Sequence, residues 1–347
     1  MGATKRPVPD PSSLANFGSS SLLAAVDDAV SSLGGDVPAA IGVAVSGGPD
    51  SAMLLVHAAR VASRRGMALH ALHVHHGLQQ VADTWRDHVH DLAQLLAVPC
   101  HSVRVTVDRS RGDGIESAAR AARYRALADM ASKAGVRHVL LAHHRDDQAE
   151  TVLLRLLRGA GPYGIGAMAP QSCRDSILYL RPWLEVSREQ IVENAREFHD
   201  LTGWKPVFDP TNSEDRYTRS AVRERLAPQL NDRWPGWQAV LARHARQSRE
   251  AAEILDEVAA QDFAGLEPSE GGNSFSLARW RELSTARQAL VLRYWLTQSG
   301  LRMPTEARLN DLMRQMRQLH ALGHDRAMQV KHGDVTIRCT RGRVLLK

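Results

Sequence analysis

Short apolar runs alternate with helical patterns over the first half of the chain. Runs of strand length, rich in Val, Ile, Leu or Ala, are predicted at residues 41–45, 69–75, 101–107, 139–142 and 177–180. Helical spacing of apolar residues is predicted between them, at about 50–65, 82–97, 116–134 and 145–158. This alternation is typical of an α/β fold with a doubly wound parallel sheet, here of five strands. In such sheets, ligands bind at the carboxyl ends of the strands.

The second half of the chain is mostly helical in pattern and ends in strands. Helices are predicted at 187–199, 239–261, 285–299 and 304–318, and an irregular stretch at 201–212. A terminal β-hairpin is predicted from strands at 327–330, 335–339 and 344–346. We therefore expect a disordered leader at 1–19, a catalytic α/β domain at 20–230, a long linker helix at 231–265, and a smaller basic domain at 266–347.

Composition places the chain among ordinary globular proteins of two or three domains. Of its 347 residues, 44% are hydrophobic and 24% are charged. No apolar run reaches the length of a membrane span, so we expect no membrane partner. The three cysteines, Cys100, Cys173 and Cys339, form no C-x-x-C pair, which fits a reducing cytoplasm and argues against a disulfide framework or a metal cluster.

The positive charge is concentrated near the end of the chain. Residues 276–347 contain 14 Lys or Arg and 5 Asp or Glu, whereas the net charge of the whole chain is +6. Such a surplus favours a polyanionic partner, usually a nucleic acid, although a basic solvated surface would give the same count.

A glycine-containing segment follows the first predicted strand and precedes the first predicted helix. It consists of Ser46, Gly47, Gly48, Pro49, Asp50 and Ser51. Glycines let backbone N–H groups approach an anion closely, and a helix N-terminus adds partial positive charge. The segment therefore predicts a phosphate cradle in which Asp50 can hold a cation. It lacks both the Lys of the common P-loop and the G-x-G-x-x-G pattern of dinucleotide folds. The plainer alternative is a turn that needs its glycines only for geometry.

The densest polar run follows the fourth predicted strand, at residues 143–151. His143, Asp147 and Glu150 have i, i+4, i+7 spacing, so they share one helix face near the strand end. An imidazole beside two carboxylates suits divalent-cation binding or proton transfer. A zinc site and a capped helix N-terminus are the alternatives.

Arginines recur at helical spacing in two other runs. Arg120 and Arg123 lie four and seven residues after Glu116, and Arg219 and Arg223 are four residues apart near Tyr217. Paired guanidinium groups can bind a phosphate, although an intrahelical ion pair or a solvated helix face would look the same. Between these runs, four glycines at 159–166 predict a loop.

These runs, in this order, resemble the tRNA(Ile)-lysidine synthetase family. The S-G-G-x-D-S pattern at 46–51 is similar to the loop of the wider N-type ATP pyrophosphatases, also called PP-loop ATPases, whose fold is adenine nucleotide α-hydrolase-like. The runs at 74–78, 119–124, 142–151, 158–161, 180–184 and 217–219, together with a tail from 285 to 343, narrow the resemblance to this family. The sequence departs from the family pattern at 209–212 and 219–223.

The resemblance implies an ATP-dependent ligase that uses Mg²⁺. Its reaction would adenylate the first anticodon cytidine of a CAU-anticodon isoleucine tRNA and then replace AMP by free L-lysine. The implied catalytic residues are Asp50, Ser51, Arg123, His143, Asp147 and Glu150, with Asp50 and Asp147 also holding the metal. Residues 46–51, with His75 and Gly77, would bind the nucleotide. The implied tRNA contacts are Arg120, Arg219, Arg223, Arg287, Arg341 and Arg343.

Two rival functions stay open from the sequence. A tRNA thiolase of the same fold would use catalytic or cluster-binding cysteines, and a non-catalytic RNA-binding protein would keep the fold without the chemistry. The oligomeric state is also open, with a homodimer as one option.

Overall fold

The computed structural model describes residues 14, 16–35, 37–75, 82–105, 115–207, 218–319 and 328–347. The chain divides into two compact units, residues 1–247 and 248–347, and the division falls inside one long helix. Within the described ranges, no helix combines the length and the apolarity that a membrane crossing requires.

A six-stranded sheet forms the centre of the first unit. Its strands are β1 (Ala40–Ala44), β2 (Ala68–His75), β3 (Cys100–Arg104), β4 (His138–Leu140), β5 (Gln171–Arg174) and β6 (Ile177–Leu180). They lie in the order β3-β2-β1-β4-β6-β5. The five strands predicted from the sequence all pair in parallel, which confirms the doubly wound α/β fold. Strand order reverses between β1 and β4, so their carboxyl ends flank the switch point at which ligands bind.

Helices connect the strands and cover both faces of the sheet. Those of the first unit are α1 (Ser20–Ser31), α2 (Pro49–Arg65), α3 (Ala82–Leu95), α4 (Ile115–Lys133), α5 (Arg145–Leu156), α6 (Pro162–Ile165), α7 (Arg188–Thr202), α8 (Thr218–Ala221) and α9 (Ala227–Arg233). A π-helical turn, Val222–Leu226, joins α8 to α9. Helix α10 (Trp237–Gly265) continues into the second unit.

The ends of α2 show how local sequence sets an element. Pro49 occupies the first turn, where its missing N–H costs no hydrogen bond. Gly66 ends the helix in the left-handed conformation, with φ of 67°. Ten buried residues between these ends pack α2 against the sheet, so the helix N-terminus is held at the carboxyl end of β1.

The two faces of the sheet have separate cores. On one face, Ile41 and Val43 pack with α2 against Trp183 and Phe198, all of them buried. On the other face, Leu72 packs with residues of α4 and with buried neighbours on β4 and β6. Because helices cover both faces of the sheet, the residues on both sides of each parallel strand are apolar, and the strands appear in the sequence as nearly continuous apolar runs.

The structure corrects three sequence-based expectations in the first unit. Strand β5 was not predicted, because its sequence Gln-Ser-Cys-Arg has no apolar run, and it pairs antiparallel with β6. The predicted loop at 159–166 contains the short helix α6, since Pro162 can start a helical turn that the glycines do not prevent. The predicted disordered leader ends before Ser19, because Phe17 packs edge-on against Phe198. Residues 1–13 and 15 of that leader lie outside the described residues.

The second unit packs helices against one face of a small antiparallel sheet. Its elements are β7 (Ser274–Ser276), α11 (Leu277–Glu282), α12 (Thr285–Gln298), α13 (Glu306–Gln318), β8 (Met328–His332), β9 (Val335–Thr340) and β10 (Arg343–Leu346). The strand order is β7-β10-β9-β8, so the predicted terminal hairpin is part of a four-stranded sheet. Phe275, Trp280 and Trp295 are buried between the sheet and the helices.

Candidate active site

The loop after β1 is closed by its own serines. The Ser46 backbone N–H donates to Ser51 Oγ at 3.0 Å, and the two hydroxyl oxygens lie 3.0 Å apart. Ser51 Oγ also donates to the Gly48 carbonyl at 3.2 Å. These bonds fold residues 46–51 into a tight turn directly at the N-terminus of α2, as the phosphate-cradle prediction requires.

Gly47 and its neighbours fix the outer side of this loop. Gly47 has φ of +91°, a conformation that side chains with a Cβ rarely adopt. The Val207 N–H donates to the Gly47 carbonyl at 2.9 Å, so the irregular segment after α7 supports the loop. That segment is anchored in turn by Trp204, whose ring stacks on His88 with 5.0 Å between centroids.

His144 joins the loop to α5. It is the N-cap of α5 and is 1% exposed. Its Nδ1 accepts from the Asp147 N–H at 3.3 Å, which leaves Nε2 as the donor of the ring. That Nε2 lies 3.8 Å from Asp50 Oδ2 and 3.4 Å from Asp147 Oδ2. The imidazole therefore stands between the carboxylate of the loop and the first carboxylate of α5.

The sequence-based prediction selected His143 as the site histidine and did not select His144. The i, i+4, i+7 rule was counted from His143, but the first helical residue is Arg145, so the capping position falls to His144. The capping-box spacing from His144 to Asp147 could have found it, since His144 N–H also donates to Asp147 Oδ2 at 3.3 Å.

His143 faces a group of arginines and is neutral. Burial lowers the pKa of His143 to about 3, and the charges of Arg181, Arg123 and Arg120 lower it further against the opposing effect of Asp147. His143 Nδ1 is buried and has no hydrogen-bond partner. An imidazole in this state can accept a hydrogen bond but is not a cation near neutral pH.

Asp147 and Glu150 share one cation, Arg223. Arg223 Nε donates to Glu150 Oε1 at 2.5 Å and its Nη2 to Glu150 Oε2 at 3.0 Å, a bidentate pair. The same Nη2 donates to Asp147 Oδ1 at 2.9 Å. Burial raises the pKa of Glu150, although Arg223 opposes the shift. For Asp147, burial would raise the pKa, but His144, His143 and Arg223 bring it below the usual range.

A cluster of guanidinium groups lies beside these carboxylates. The pKa of Arg123 is lowered by burial and then by the nearby charges of Arg120 and Arg219. Arg219 Nη2 donates to Thr151 Oγ1 at 3.0 Å, and Arg120 Nη2 to the Tyr124 hydroxyl at 3.4 Å. No carboxylate among the described residues forms an ion pair with Arg120, Arg123 or Arg219. Arg120 is exposed and Arg123 and Arg219 are half-buried, so this group of cations without carboxylate partners is accessible to an anionic ligand.

The residues present fit a divalent cation at the carboxylates. Asp50 Oδ1 is buried and has no hydrogen-bond partner, and burial raises the pKa of this carboxyl. Asp50 and Asp147 both face His144 Nε2, so they border a common space. Mg²⁺ is commonly held by one or two carboxylates together with substrate phosphates. Within the described ranges, no three His, Cys, Asp or Glu side chains are grouped as metal ligands.

The remaining predicted residues lie apart from this cluster or outside the description. His75 is buried at the end of β2. Gly77 and the side chain of Glu116 fall outside the described residues. In the second unit, Arg287 forms a bidentate ion pair with the buried Asp262, so its guanidinium is occupied. Arg341 lies in the turn before β10, and Arg343 on β10 itself.

Two family models match most of the chain. Residues 22–230 match a model described as a PP-loop domain. Residues 275–345 match the TilS substrate binding domain. The first match contains the loop at 46–51 and the whole carboxylate cluster, and the second contains all but the two end residues of the four-stranded sheet.

Curated relatives resemble the chain over most of its length. The tRNA(Ile)-lysidine synthase of Bordetella pertussis is 59% identical over 307 residues, covering 88% of this chain and 95% of the relative. The tRNA(Ile)-lysidine synthase of Polaromonas naphthalenivorans is 39% identical and covers 90% of this chain and 92% of the relative. That of Burkholderia mallei is 41% identical, covering 90% of this chain and 62% of the relative.

A solved structure supports the fold of the first unit. A U34-tRNA thiolase from Methanococcus maripaludis superposes with a TM-score of 0.54 and covers 65% of this chain and 76% of the thiolase. Its sequence identity is 16%, so this likeness concerns the fold alone.

Proposed function

Since this chain belongs to the tRNA(Ile)-lysidine synthase family of PP-loop enzymes, we propose that it ligates free L-lysine to C2 of the first anticodon cytidine of a CAU-anticodon isoleucine tRNA. The reaction consumes ATP and gives lysidine, AMP and pyrophosphate. One observation carries the proposal: His144 joins the ATP loop, through Asp50, to the carboxylates of α5. Nucleotide and amine can therefore be held at the same edge of the sheet.

In the first proposed step, the loop binds the pyrophosphate end of ATP. The cytidine O2 attacks the α-phosphorus, and the bond between the α-phosphorus and the pyrophosphate breaks. Backbone N–H groups at the N-terminus of α2 stabilise the charge on the departing pyrophosphate. Mg²⁺, held by Asp50 and Asp147, would supply further charge neutralisation when bound.

In the second proposed step, the ε-amine of lysine attacks C2 of the adenylated cytidine. The bond from C2 to the AMP oxygen breaks, and the amine loses a proton. The two carboxylates of Asp147 and Glu150 support a role in binding the lysine ammonium group, which would compete with Arg223 for their oxygens. Glu150 is the proposed proton acceptor, because burial raises its pKa and makes it the stronger base of the two.

The arginine cluster is proposed to hold the anionic partner of the reaction. Arg120, Arg123 and Arg219 have no carboxylate partner among the described residues, so a phosphate of the nucleotide or of the anticodon loop would compensate their charge. The anticodon loop presents its bases unstacked at low cost, which suits chemistry on a single cytidine.

The domain organisation is also part of the proposal. It comprises a catalytic domain at 20–230, a linker helix at 231–265 and a tRNA-binding domain at 266–347.

The three cysteines give little support to the alternative that the protein is a tRNA thiolase. Cys100, Cys173 and Cys339 are free and lie on β3, β5 and β9. Burial raises the pKa of Cys100 to about 11, which disfavours its thiolate. None of the three lies in the loop or on α5, where the chemistry is placed.

The test is an assay of labelled lysine and pyrophosphate release with a CAU-anticodon isoleucine tRNA transcript. The wild-type chain should incorporate about one lysine per tRNA. Asp50→Ala should lose both pyrophosphate release and lysine incorporation, by about 100-fold or more. Glu150→Gln should keep a stoichiometric release of pyrophosphate but lose lysine incorporation, because only the second step needs the carboxylate.

Exposed Glu185→Gln is the matched control and should behave as wild type. Pyrophosphate release without any lysine incorporation by the wild-type chain would contradict the proposed reaction. Equal loss of both signals in Glu150→Gln would contradict the role given to Glu150.

A further inference from the structure

The four-stranded sheet of the second unit has one buried and one open face. The buried face carries Phe275, Met328, Ile337, Cys339 and Val344, which pack into the core of the unit. Because side chains alternate along a strand, their neighbours in sequence point to the other side. We call that side the outer sheet face; it comprises Ser274, Ser276, Gln329, Lys331, Thr336, Arg338, Thr340, Arg343, Leu345 and Lys347, none of which is buried.

The register brings the cations of the outer sheet face close together. Gln329, Arg338 and Leu345 form one row across β8, β9 and β10. Lys347 exchanges two backbone hydrogen bonds with Thr336, which is paired with Lys331, so these three residues form the next row. Adjacent strands lie about 4.8 Å apart and alternate residues on one strand about 7 Å apart. Four basic residues therefore share a small surface that contains no Asp or Glu.

The cations of this face differ from four of the arginines on the helices of the same unit. Four helical arginines are neutralised by carboxylates: Arg279 by Glu267 and Glu282, Arg287 by Asp262, Arg293 by Glu306, and Arg314 by Asp311. Within the described part of the chain, no carboxylate pairs with Lys331, Arg338, Arg343 or Lys347. Arg281, Arg308 and Arg317 on the helices also have no carboxylate partner among the described residues, so the outer sheet face holds only part of the uncompensated positive charge of this unit.

Two details show guanidinium charge without an anionic partner. Arg338 Nε is buried and has no hydrogen-bond partner. Arg343 donates to Ser274 Oγ at 3.0 Å and to the Glu267 carbonyl at 2.9 Å, both neutral acceptors. These bonds orient Arg343 but leave its charge uncompensated. Binding of an anion at this face would therefore be electrostatically favourable.

We propose that the outer sheet face binds the phosphate backbone of the tRNA and contributes affinity without reading base identity. This inference rests on the proposed function for the choice of RNA as the polyanion. The face has no Phe, Tyr or Trp on which a base could stack, and its neutral residues are mostly hydroxyl groups that suit phosphate and sugar oxygens. Rejection of a methionine tRNA with the same anticodon must then depend on other contacts.

The experiment compares two double variants of the full chain that remove the same charge. Lys331→Gln with Arg338→Gln changes the outer sheet face, and Arg293→Gln with Arg314→Gln changes paired helical cations. Affinity for three RNAs is measured from 50 to 300 mM salt: the CAU-anticodon isoleucine tRNA, a methionine tRNA with the same anticodon, and an unrelated tRNA. Thermal unfolding checks that both variants are folded.

We expect the sheet variant to lower the slope of log affinity against log salt by about 2, because each lost phosphate contact removes about one counterion. At 0.1 M salt this corresponds to a loss of about tenfold or more, similar for all three RNAs. The helical variant should keep the wild-type slope. Under saturating tRNA, lysine incorporation by the sheet variant should reach the wild-type rate.

Three outcomes overturn the inference. In the first, the salt slope of the sheet variant equals that of wild type. In the second, the helical variant loses as much slope as the sheet variant. In the third, the loss of affinity in the sheet variant differs by more than tenfold between RNAs, which would mean that the face recognises sequence. A wild-type chain that incorporates no lysine would refute the proposed function instead, and the slopes would still report whether this face binds RNA.

Discussion

His57 on α2 is a titratable group that the fold keeps uncharged. It is 0% exposed, its Nδ1 lies 2.7 Å from the Met53 carbonyl, and its ring packs edge-on against Trp183. Burial lowers the pKa of His57 to about 4, well below the ordinary value of 6.5 for a histidine. The unfolded chain therefore binds this proton at higher pH than the folded chain does. Stability from this residue is full above about pH 6.5 and is lost as the pH falls toward 4.

We predict that His57→Gln flattens the pH dependence of stability in the first unit. Between pH 7 and pH 5, the wild-type chain should lose about 2 kcal/mol through this residue. The free energy of unfolding in urea, measured at both pH values, checks it. Only the change with pH is compared, so the cost of the substitution itself cancels. Exposed His244→Gln is the control and should keep the wild-type pH dependence; an identical pH dependence in His57→Gln would refute the assignment.

At the scale of elements, the loop before α2 depends on the backbone conformation of Gly47 more than on that of Gly48. Gly47 has φ of +91°, and a Cβ added there would lie 3.3 Å from Val89 Cγ2. Gly48 has φ of −71°, and a Cβ added there would lie 3.7 Å from Ser46 Oγ. The strand-turn-helix junction therefore needs glycine for its geometry at position 47, whereas position 48 can accept a methyl group.

We predict that Gly47→Ala lowers the free energy of unfolding by about 1–3 kcal/mol, because it forces a residue with a Cβ into a strained conformation. Gly48→Ala should stay within about 0.5 kcal/mol of wild type. Urea unfolding without nucleotide measures both and keeps effects on phosphate binding out of the comparison. Equal destabilisation by the two variants would show that the conformation of Gly47 is not what the loop requires.

The N-terminus of α5 shows how one element gathers the chemistry. His144 caps the helix, Asp147 returns the capping hydrogen bond, and Glu150 follows one turn later on the same face. The residues that stabilise the helix end are thus the residues that face Asp50 and Arg223. Capping and site geometry cannot be separated by substitution at His144 alone.

At the scale of the whole molecule, the two units have separate hydrophobic cores. The core of the second unit contains Trp295, which is 1% exposed, donates from Nε1 to the Gly272 carbonyl at 2.8 Å and packs edge-on against Phe275. Removing such a side chain leaves a large cavity and an unpaired carbonyl, at a cost of about 3–5 kcal/mol. The damage should stay within the unit that holds the core.

We predict that Trp295→Ala weakens tRNA binding by tenfold or more while ATP binding changes by less than about twofold. Titration calorimetry with ATP and filter binding with labelled tRNA measure the two properties on the same preparation. Trp234→Ala, which removes a tryptophan that is 60% exposed, should leave both unchanged. Parallel loss of ATP binding in Trp295→Ala would show that the units do not fold separately.

The sequence predicted the elements and their class because the signals are local. The apolar runs at 41–45 and 69–75 and the glycines at 47 and 48 mark β1, β2 and the loop, and in the structure the ends of these two strands lie within one residue of the prediction. Periodicity also put Asp147 and Glu150 on one helix face, since that depends only on helix geometry. Strand β5 and helix α6 escaped prediction, because neither carries an apolar pattern and both are held by neighbours.

Tertiary structure decided which of these residues meet. Only the parallel order of β1 and β4 brings Asp50 to within 3.8 Å of His144, and only the return of the chain at 218–226 brings Arg223 to Glu150. Charge counting located a basic C-terminal region, but pairing in space showed that Arg287 is occupied by Asp262, while Arg338 has no carboxylate partner among the described residues. Periodicity reports how a segment orients its own side chains, whereas contacts between residues far apart in sequence exist only once the strands have chosen their order.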